Sequence, residues 1–245
     1  MCDVCGCDQP PRAAPDAARE IAVGERLLAV NDHAAAHNRA HFDARGLLAV
    51  NLMGTPGAGK TALLEATIRA GRWRVAVVEG DQATARDSAR ITAAGAPAVQ
   101  IETGLGCHLD AAQVHDAAHA LPADRLDLLF IENVGNLVCP ALFDLGEHRR
   151  VVVTSPTEGE DKPLKYPPMF RAADLVVLNK ADLLPHVPFD LAAWREHVAT
   201  VNPGADVVLL SALTGAGMDS WLAALAAALA EPRAPRRGTA PEAHR

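Results

Sequence analysis

The stretch Leu47-Leu48-Ala49-Val50-Asn51-Leu52-Met53-Gly54-Thr55-Pro56-Gly57-Ala58-Gly59-Lys60-Thr61 decides the fold. Its first seven residues form an almost unbroken apolar run, the signature of a strand covered on both faces. Its last eight match the phosphate-loop pattern G-x-x-x-x-G-K-[ST], and Ala62–Ala70 then reads as a helix. Glycines let backbone N–H groups turn inward around a phosphate. The N-terminus of the following helix adds further donors and the positive end of a dipole. Gly54, Gly57, Ala58 and Gly59 form the cradle, Lys60 brings a point charge to the β- and γ-phosphates, and the Thr61 hydroxyl suits Mg²⁺.

Further apolar runs follow: Val75–Glu79, Ala98–Ile101, Leu126–Glu132, Val151–Ser155, Leu175–Asn179 and Val207–Ser211. Alternation of such runs with helical stretches predicts an α/β fold, a mostly parallel sheet flanked by helices. About 120 residues after the phosphate loop, one run ends in Asn179-Lys180-Ala181-Asp182. The Asp182 carboxylate can accept from guanine N1–H and the 2-amino group. Adenine would leave that carboxylate unpaired, at a cost of about 3–5 kcal/mol if the charge is buried. Ser211 and Ala212 end the next run, where a backbone N–H is expected near the guanine oxygen. The nucleotide is therefore GTP or GDP. Asp81 and Glu132 complete the catalytic set with Lys60: one holds Mg²⁺, directly or through water, and the other orients the attacking water.

Outside this unit, residues 1–16 read as a flexible tail and residues 17–44 as a helix packed on the main domain, with Leu27, Leu28, Ala34 and Ala35 facing it. Residues 45–231 form the GTPase domain, ending in a helix over Met218–Ala230, and residues 232–245, rich in Pro and Arg, read as a disordered tail. Hydrophobic residues make up 49% and charged residues 22% of the chain, ordinary for a globular protein. The net charge of −7 argues against a nucleic-acid partner. No run approaches the roughly 18 apolar residues of a membrane span, and no export signal is visible. The expected location is cytoplasmic.

Five cysteines and no export signal make a poor disulfide framework. Cys2, Cys5 and Cys7 crowd the first seven residues beside the α-amino group, a donor set for a soft or borderline metal. With the amine as fourth ligand and square-planar geometry, Ni²⁺ fits better than Zn²⁺. Cys107 and His108 adjoin one another, and Cys139 lies seven residues after Glu132. These three are an incomplete set that a symmetric dimer can complete across its axis. His33, His37 and His41 share one helix face and read as a solvated stripe.

The tail Met1-Cys2-Asp3-Val4-Cys5-Gly6-Cys7, the phosphate loop, Glu79-Gly80-Asp81, Gly106-Cys107-His108, the run from Glu132 to Pro140 and Asn179–Asp182 together resemble the HypB family. These are nickel-insertion GTPases of [NiFe]-hydrogenase maturation. The resemblance spans Met1 to about Ala230. It implies a SIMIBI-type P-loop NTPase, a tight nickel site in the tail, and a weaker Ni²⁺/Zn²⁺ site at Cys107, His108 and Cys139 on a GTP-dependent homodimer interface. It also implies two partners: a small zinc-containing nickel-delivery protein and the hydrogenase large-subunit precursor. The long His-rich stretch of some members is missing here, against bulk nickel storage. The related urease-type nickel GTPase shares the nucleotide motifs but fits the three-cysteine tail less well. Two further readings are a GTPase assembly switch with structural zinc and a metal buffer with a vestigial GTPase.

Overall fold

The structure is a computed structural model that describes residues 17–81, 86–104, 106–122 and 125–231, with side chains from Arg26 onward except at positions 81 and 86. The expected metal-binding tail with Cys2, Cys5 and Cys7 and the C-terminal tail 232–245 lie outside the described residues.

Seven strands alternate with helices: α1 (Ala17–Ala44), β1 (Leu48–Met53), α2 (Lys60–Arg69), β2 (Val75–Asp81), α3 (Arg86–Ala94), β3 (Ala98–Glu102), α4 (Ala111–Ala120) and β4 (Leu128–Glu132). Then come β5 (Arg149–Thr154), the short α5 (Lys162–Lys165) and α6 (Pro167–Arg171), β6 (Leu175–Leu178), α7 (Leu191–Val201), β7 (Asp206–Leu209) and α8 (Met218–Ala230). The strands form one sheet in the order β3-β2-β4-β1-β5-β6-β7, every pairing parallel. The expected α/β P-loop architecture is thus present, with boundaries shifted by at most two residues. Two shifts have a local cause. α2 begins at Lys60 because Gly59, in the left-handed region at φ 94°, turns the phosphate loop directly into the helix. β4 starts late because Asp127 is held by Arg74: its N–H donates to the Arg74 carbonyl and its carboxylate pairs with the guanidinium.

Alternate residues of each strand enter opposite cores, as strand geometry requires. Leu48, Val50, Leu52, Val77, Phe130, Val153 and Val177 pack with Leu63 and Leu64 of α2, Ile91 of α3 and Trp221 of α8. The Trp221 indole N–H donates to Thr67 Oγ1 (2.8 Å), whose own hydroxyl donates to the Leu63 carbonyl. On the other face Ala49, Val78, Leu129 and Ile131 meet Phe42 of α1 and Val114 of α4. Met53, Val152 and Val176 meet Phe170 of α6 and Trp194 of α7.

α1 docks differently from the expectation. Leu27 is 62% exposed, so it does not face the domain. Docking rests on Ala35 and Phe42 and on polar side chains. Asn31 donates to the Asp144 carbonyl and accepts from Ala111 N–H. Arg39 grips the Asp144 carboxylate through both oxygens, at 2.6 and 2.8 Å. Gly146 lets the helix approach: a Cβ there would lie 2.5 Å from Asn38 Cβ and 2.6 Å from the Ala35 carbonyl oxygen.

Candidate nucleotide and metal site

β1 and β4 are neighbours at the centre of the sheet, and their C-terminal ends place the phosphate loop beside Glu132. Gly54 runs so close to β5 that a Cβ would lie 2.2 Å from the Val153 carbonyl oxygen. Gly57 (φ 80°) faces open space, and a Cβ on Gly59 would lie 2.3 Å from Asn179 Nδ2. Lys60 is buried and its ammonium donates to the carbonyls of Gly54 (3.4 Å) and Thr55 (3.3 Å), over the mouth of the loop. A cavity of about 490 Å³ opens there, lined by Gly57, Lys60, Thr61, Glu79, Glu132 and Lys180 among others. A concave site of this size, ringed with loop amides and one buried lysine, fits a polyphosphate.

Glu132 closes β4 at the floor of this cavity. Thr61 Oγ1 donates to Glu132 Oε1 at 2.9 Å, and Glu132 Oε2 is buried with no hydrogen-bond partner. Burial pushes the Glu132 carboxyl up to about 7, against the opposing pull of Lys60 and the Thr61 hydrogen bond. A hydroxyl and an under-satisfied carboxylate side by side suit a hydrated Mg²⁺. Asp81 ends β2, two residues beyond Glu79, which is in register with Glu132. Its side chain lies outside the described residues.

The guanine-reading segment shows a division of labour that the motif alone does not reveal. Asn179 is 1% exposed and braces the site. Its Nδ2 donates to the carbonyls of Ala58 (3.1 Å) and Gly59 (3.3 Å), and its Oδ1 accepts from Lys180 N–H (2.8 Å) and Ala212 N–H (3.1 Å). Lys180 is the one non-glycine with positive φ (57°) among the described residues, and its ammonium reaches the Gly57 carbonyl at 2.5 Å. Asp182 Oδ1 is shielded and has no hydrogen-bond partner, as expected of a group that awaits a base edge. Ser211 N–H donates to the Ala216 carbonyl and Ala212 N–H to Asn179 Oδ1. These two amides, expected to face the guanine oxygen, hold the loop together in this structure.

Cys107, His108 and Cys139 converge. Their ligand atoms all lie within 4.8 Å of one another, and among the described residues no other group of three or more His, Cys, Asp or Glu does so. The two sulfurs are 2.8 Å apart, and Cys107 Sγ is 3.4 Å from His108 Nδ1. The His108 ring stacks on Phe143 at 3.8 Å. The hydrogen bond from Cys107, then burial, push the Cys139 thiol up, and burial lowers His108. Two thiols and an imidazole at this spacing fit Zn²⁺ or Ni²⁺ with a fourth position left open. The segment joining this cluster to Glu132 lies along the phosphate loop, with an isolated bridge between Gly54 and Asn136.

Sequence reasoning missed several residues of the site. Asp87 and Arg90 of α3 line the nucleotide cavity, with Arg90 paired to Glu65 (2.7 Å) and Asp87 (2.9 Å). No motif marks them. Asn133 is 1% exposed, and its Oδ1 accepts from Val134 N–H (3.0 Å) and Leu109 N–H (3.4 Å). A second polar residue directly after Glu132, at the end of an otherwise apolar strand, was the available signal. The His33, His37 and His41 stripe is solvated at the first two positions only, since His41 is half-buried.

Residues 48–209 match the family model described as CobW/HypB/UreG, nucleotide-binding domain. Hydrogenase maturation factor HypB of Azotobacter vinelandii is 57% identical over 212 residues, 84% of this chain and 68% of that protein. The crystal structure of HypB from Helicobacter pylori in complex with nickel superposes with a TM-score of 0.82 at 36% identity, covering 85% of this chain and 99% of that one. HypB of Archaeoglobus fulgidus gives a TM-score of 0.77 at 41% identity, covering 82% and 100%.

Proposed function

Because the chain belongs to the HypB family of hydrogenase maturation factors, we propose that it is a GTP-hydrolysing nickel metallochaperone. It binds Ni²⁺ as cargo and helps insert it into the precursor of the [NiFe]-hydrogenase large subunit, in the cytoplasm. It dimerises with GTP and works with a small zinc-containing delivery protein. Nickel is held tightly by Cys2, Cys5 and Cys7, and Ni²⁺ or Zn²⁺ more weakly by Cys107, His108 and Cys139.

One observation carries this reading: only six residues join the Thr61-bonded Glu132 to Cys139 of the thiol–imidazole cluster, and they run along the phosphate loop. The nickel in the Helicobacter pylori relative supports the cargo. In the reaction, loop amides and Lys60 hold the β- and γ-phosphates in place. Thr61 and one of the two acids, Glu132 or Asp81, would hold Mg²⁺, which when bound neutralises charge on the phosphate oxygens. The other acid orients the attacking water. Asp182 selects guanine, and Asn179 keeps base loop and phosphate loop in fixed relation. Arg90, the one arginine lining the cavity among the described residues, is engaged by two carboxylates and not free for the transferred phosphoryl group, so intrinsic hydrolysis is slow.

The test compares Ni²⁺ affinity and dimerisation of the chain and of its Cys107→Ala, Cys139→Ala variant, with GDP and with a non-hydrolysable GTP analogue. The analogue is expected to favour the dimer and change Ni²⁺ affinity in the parent only. Equal affinity and equal dimerisation of the parent in both nucleotide states would defeat the coupling.

A further inference from the structure

α1 and α4 pack against one another and bring four imidazoles to one surface seam. His37 and His41 are one turn apart on α1, and His115 and His119 one turn apart on α4. The i, i+4 spacing puts each pair on a single helix face. The ring centres of His37 and His115 are 5.1 Å apart, of His115 and His119 4.4 Å, and of His119 and His41 4.9 Å. Four like side chains would repel if charged. Burial, and then the neighbouring imidazoles, lower both His41 and His115, with Arg45 adding to the pressure on His41 and Asp116 opposing it at His115. At His41 and His115 this favours the neutral ring, the form that ligates metal.

Two details specify which nitrogens are available. Asn38 Nδ2 donates to the carbonyls of Ala111 (2.7 Å) and Leu145 (3.1 Å), so its Oδ1 must be the atom 3.0 Å from His115 Nδ1. An amide oxygen only accepts, so His115 carries its proton on Nδ1 and its lone pair on Nε2. This is the outer-shell arrangement that orients a metal-bound histidine. His41 Nε2 is shielded and has no hydrogen-bond partner. The nitrogens do not yet converge on one point. Side-chain torsions alone can close them: two rings on one ion, with metal–nitrogen bonds of about 2.0–2.1 Å, hold their centres roughly 4.5–5.2 Å apart. The three neighbouring ring pairs, at 5.1, 4.4 and 4.9 Å, already lie close to that spacing.

We propose that His37, His41, His115 and His119 form an imidazole site for a first-row divalent cation of the Ni²⁺, Cu²⁺ and Zn²⁺ class, distinct from both cysteine sites, and that occupancy pins α1 to α4. The proposal does not rest on the nucleotide reading.

The test uses the full chain with Cys2, Cys5, Cys7, Cys107 and Cys139 replaced by alanine, titrated with Zn²⁺ and with Ni²⁺. One equivalent is expected to bind through nitrogen and oxygen ligands, read by X-ray absorption. At an ion concentration near 100 times the dissociation constant, Tm is expected to rise by about 5 °C. His41→Ala with His119→Ala should abolish both effects, the shift being read against the variant's own metal-free Tm. His33→Ala, at the exposed end of the stripe, should leave binding intact. If the cysteine-free chain fails to fold, metal content of the wild-type chain is compared with that of its His41→Ala, His119→Ala variant. One equivalent fewer in the variant supports the site. Equal metal content, or loss of the equivalent in His33→Ala, overturns it.

Discussion

Replacing Glu132 by glutamine tests the electrostatics of the nucleotide floor. The carboxyl is 6% exposed, and burial raises it to about 7 from an ordinary 4.5. A carboxyl raised in the folded state binds a proton more tightly than in the unfolded chain. The folded state is therefore favoured below pH 4.5, and that advantage is lost as pH rises through 7. A shift of this size corresponds to about 3 kcal/mol once both states are ionised, of which about 2 kcal/mol disappears between roughly pH 5.5 and 8. Glutamine keeps an acceptor for Thr61 and carries no charge at any pH. Urea unfolding of the nucleotide-free, chelator-treated chain, followed by fluorescence of the buried Trp194 and Trp221, reads the difference. Cysteines and histidines also titrate in this range, so parent minus Glu132→Gln isolates the one group. The variant is expected to gain on the parent by about 2 kcal/mol from pH 5.5 to 8, and to lose Mg²⁺-dependent GTP hydrolysis. A pH-independent difference between the two proteins would refute the assignment of a buried, mostly uncompensated carboxyl.

Asp182→Asn is expected to weaken GDP binding by about 1.5–3 kcal/mol, roughly 10–150-fold, since a charged acceptor is lost from the base edge; calorimetry with GDP and ADP would show the guanine preference shrinking. Gly59→Ala places a methyl 2.3 Å from Asn179 Nδ2 at φ 94°, so it should cost about 1–3 kcal/mol of stability and abolish nucleotide binding, as read by thermal unfolding with and without GDP. In a chain already lacking Cys2, Cys5 and Cys7, Cys107→Ala with Cys139→Ala should remove the thiolate charge-transfer absorption that Ni²⁺ or Co²⁺ produces, leaving binding at the His37, His41, His115 and His119 cluster untouched.

Much of this molecule is legible in its sequence, for reasons that differ by element. β1 and β4 read as strands because a central parallel strand buries both faces, and every residue of each is buried. The phosphate loop is legible because its glycines are stereochemically obligatory: Gly54 and Gly59 have no room for a Cβ. α1 is legible as a helix but not in its docking. Apolar spacing pointed to Leu27, whereas Asn31, Asn38 and Arg39 hold the helix through partners about 70–115 residues away. The same distance in sequence hides the partnership of His37 and His41 with His115 and His119. Asn179 belongs to a base-reading motif, yet its amide spends both ends on protein. Pattern identifies the residue there, and only the hydrogen bonds identify its work. Arg90 falls in the cavity because α3 packs on α2, a tertiary fact with no local trace.

The proposed coupling between nucleotide and metal has a short physical route, and it runs through Asn133 and the segment after it. Asn133 follows Glu132 directly, and its N–H donates to the Leu52 carbonyl, so the end of β4 is tied to β1 just before the phosphate loop. Its side-chain oxygen accepts from Leu109 N–H, two residues beyond Cys107. Gly135 packs on Pro56 of the phosphate loop so closely that a Cβ would meet the ring at 2.7 Å. Asn136 bridges Gly54, and its Oδ1 holds Val138 N–H at 2.8 Å, which fixes the approach to Cys139. Both thiols of the metal cluster are thus positioned by one segment whose other side is the wall of the phosphate loop. Packed interiors pass on displacements because they have little free volume to absorb them. A phosphate loop that shifts on gaining or losing the γ-phosphate must move Gly135 or break the Gly54–Asn136 bridge, and either outcome alters the separation of Cys107 and Cys139. The 3.4 Å contact from Leu109 N–H to Asn133 Oδ1 is the link by which that route reaches the segment carrying Cys107.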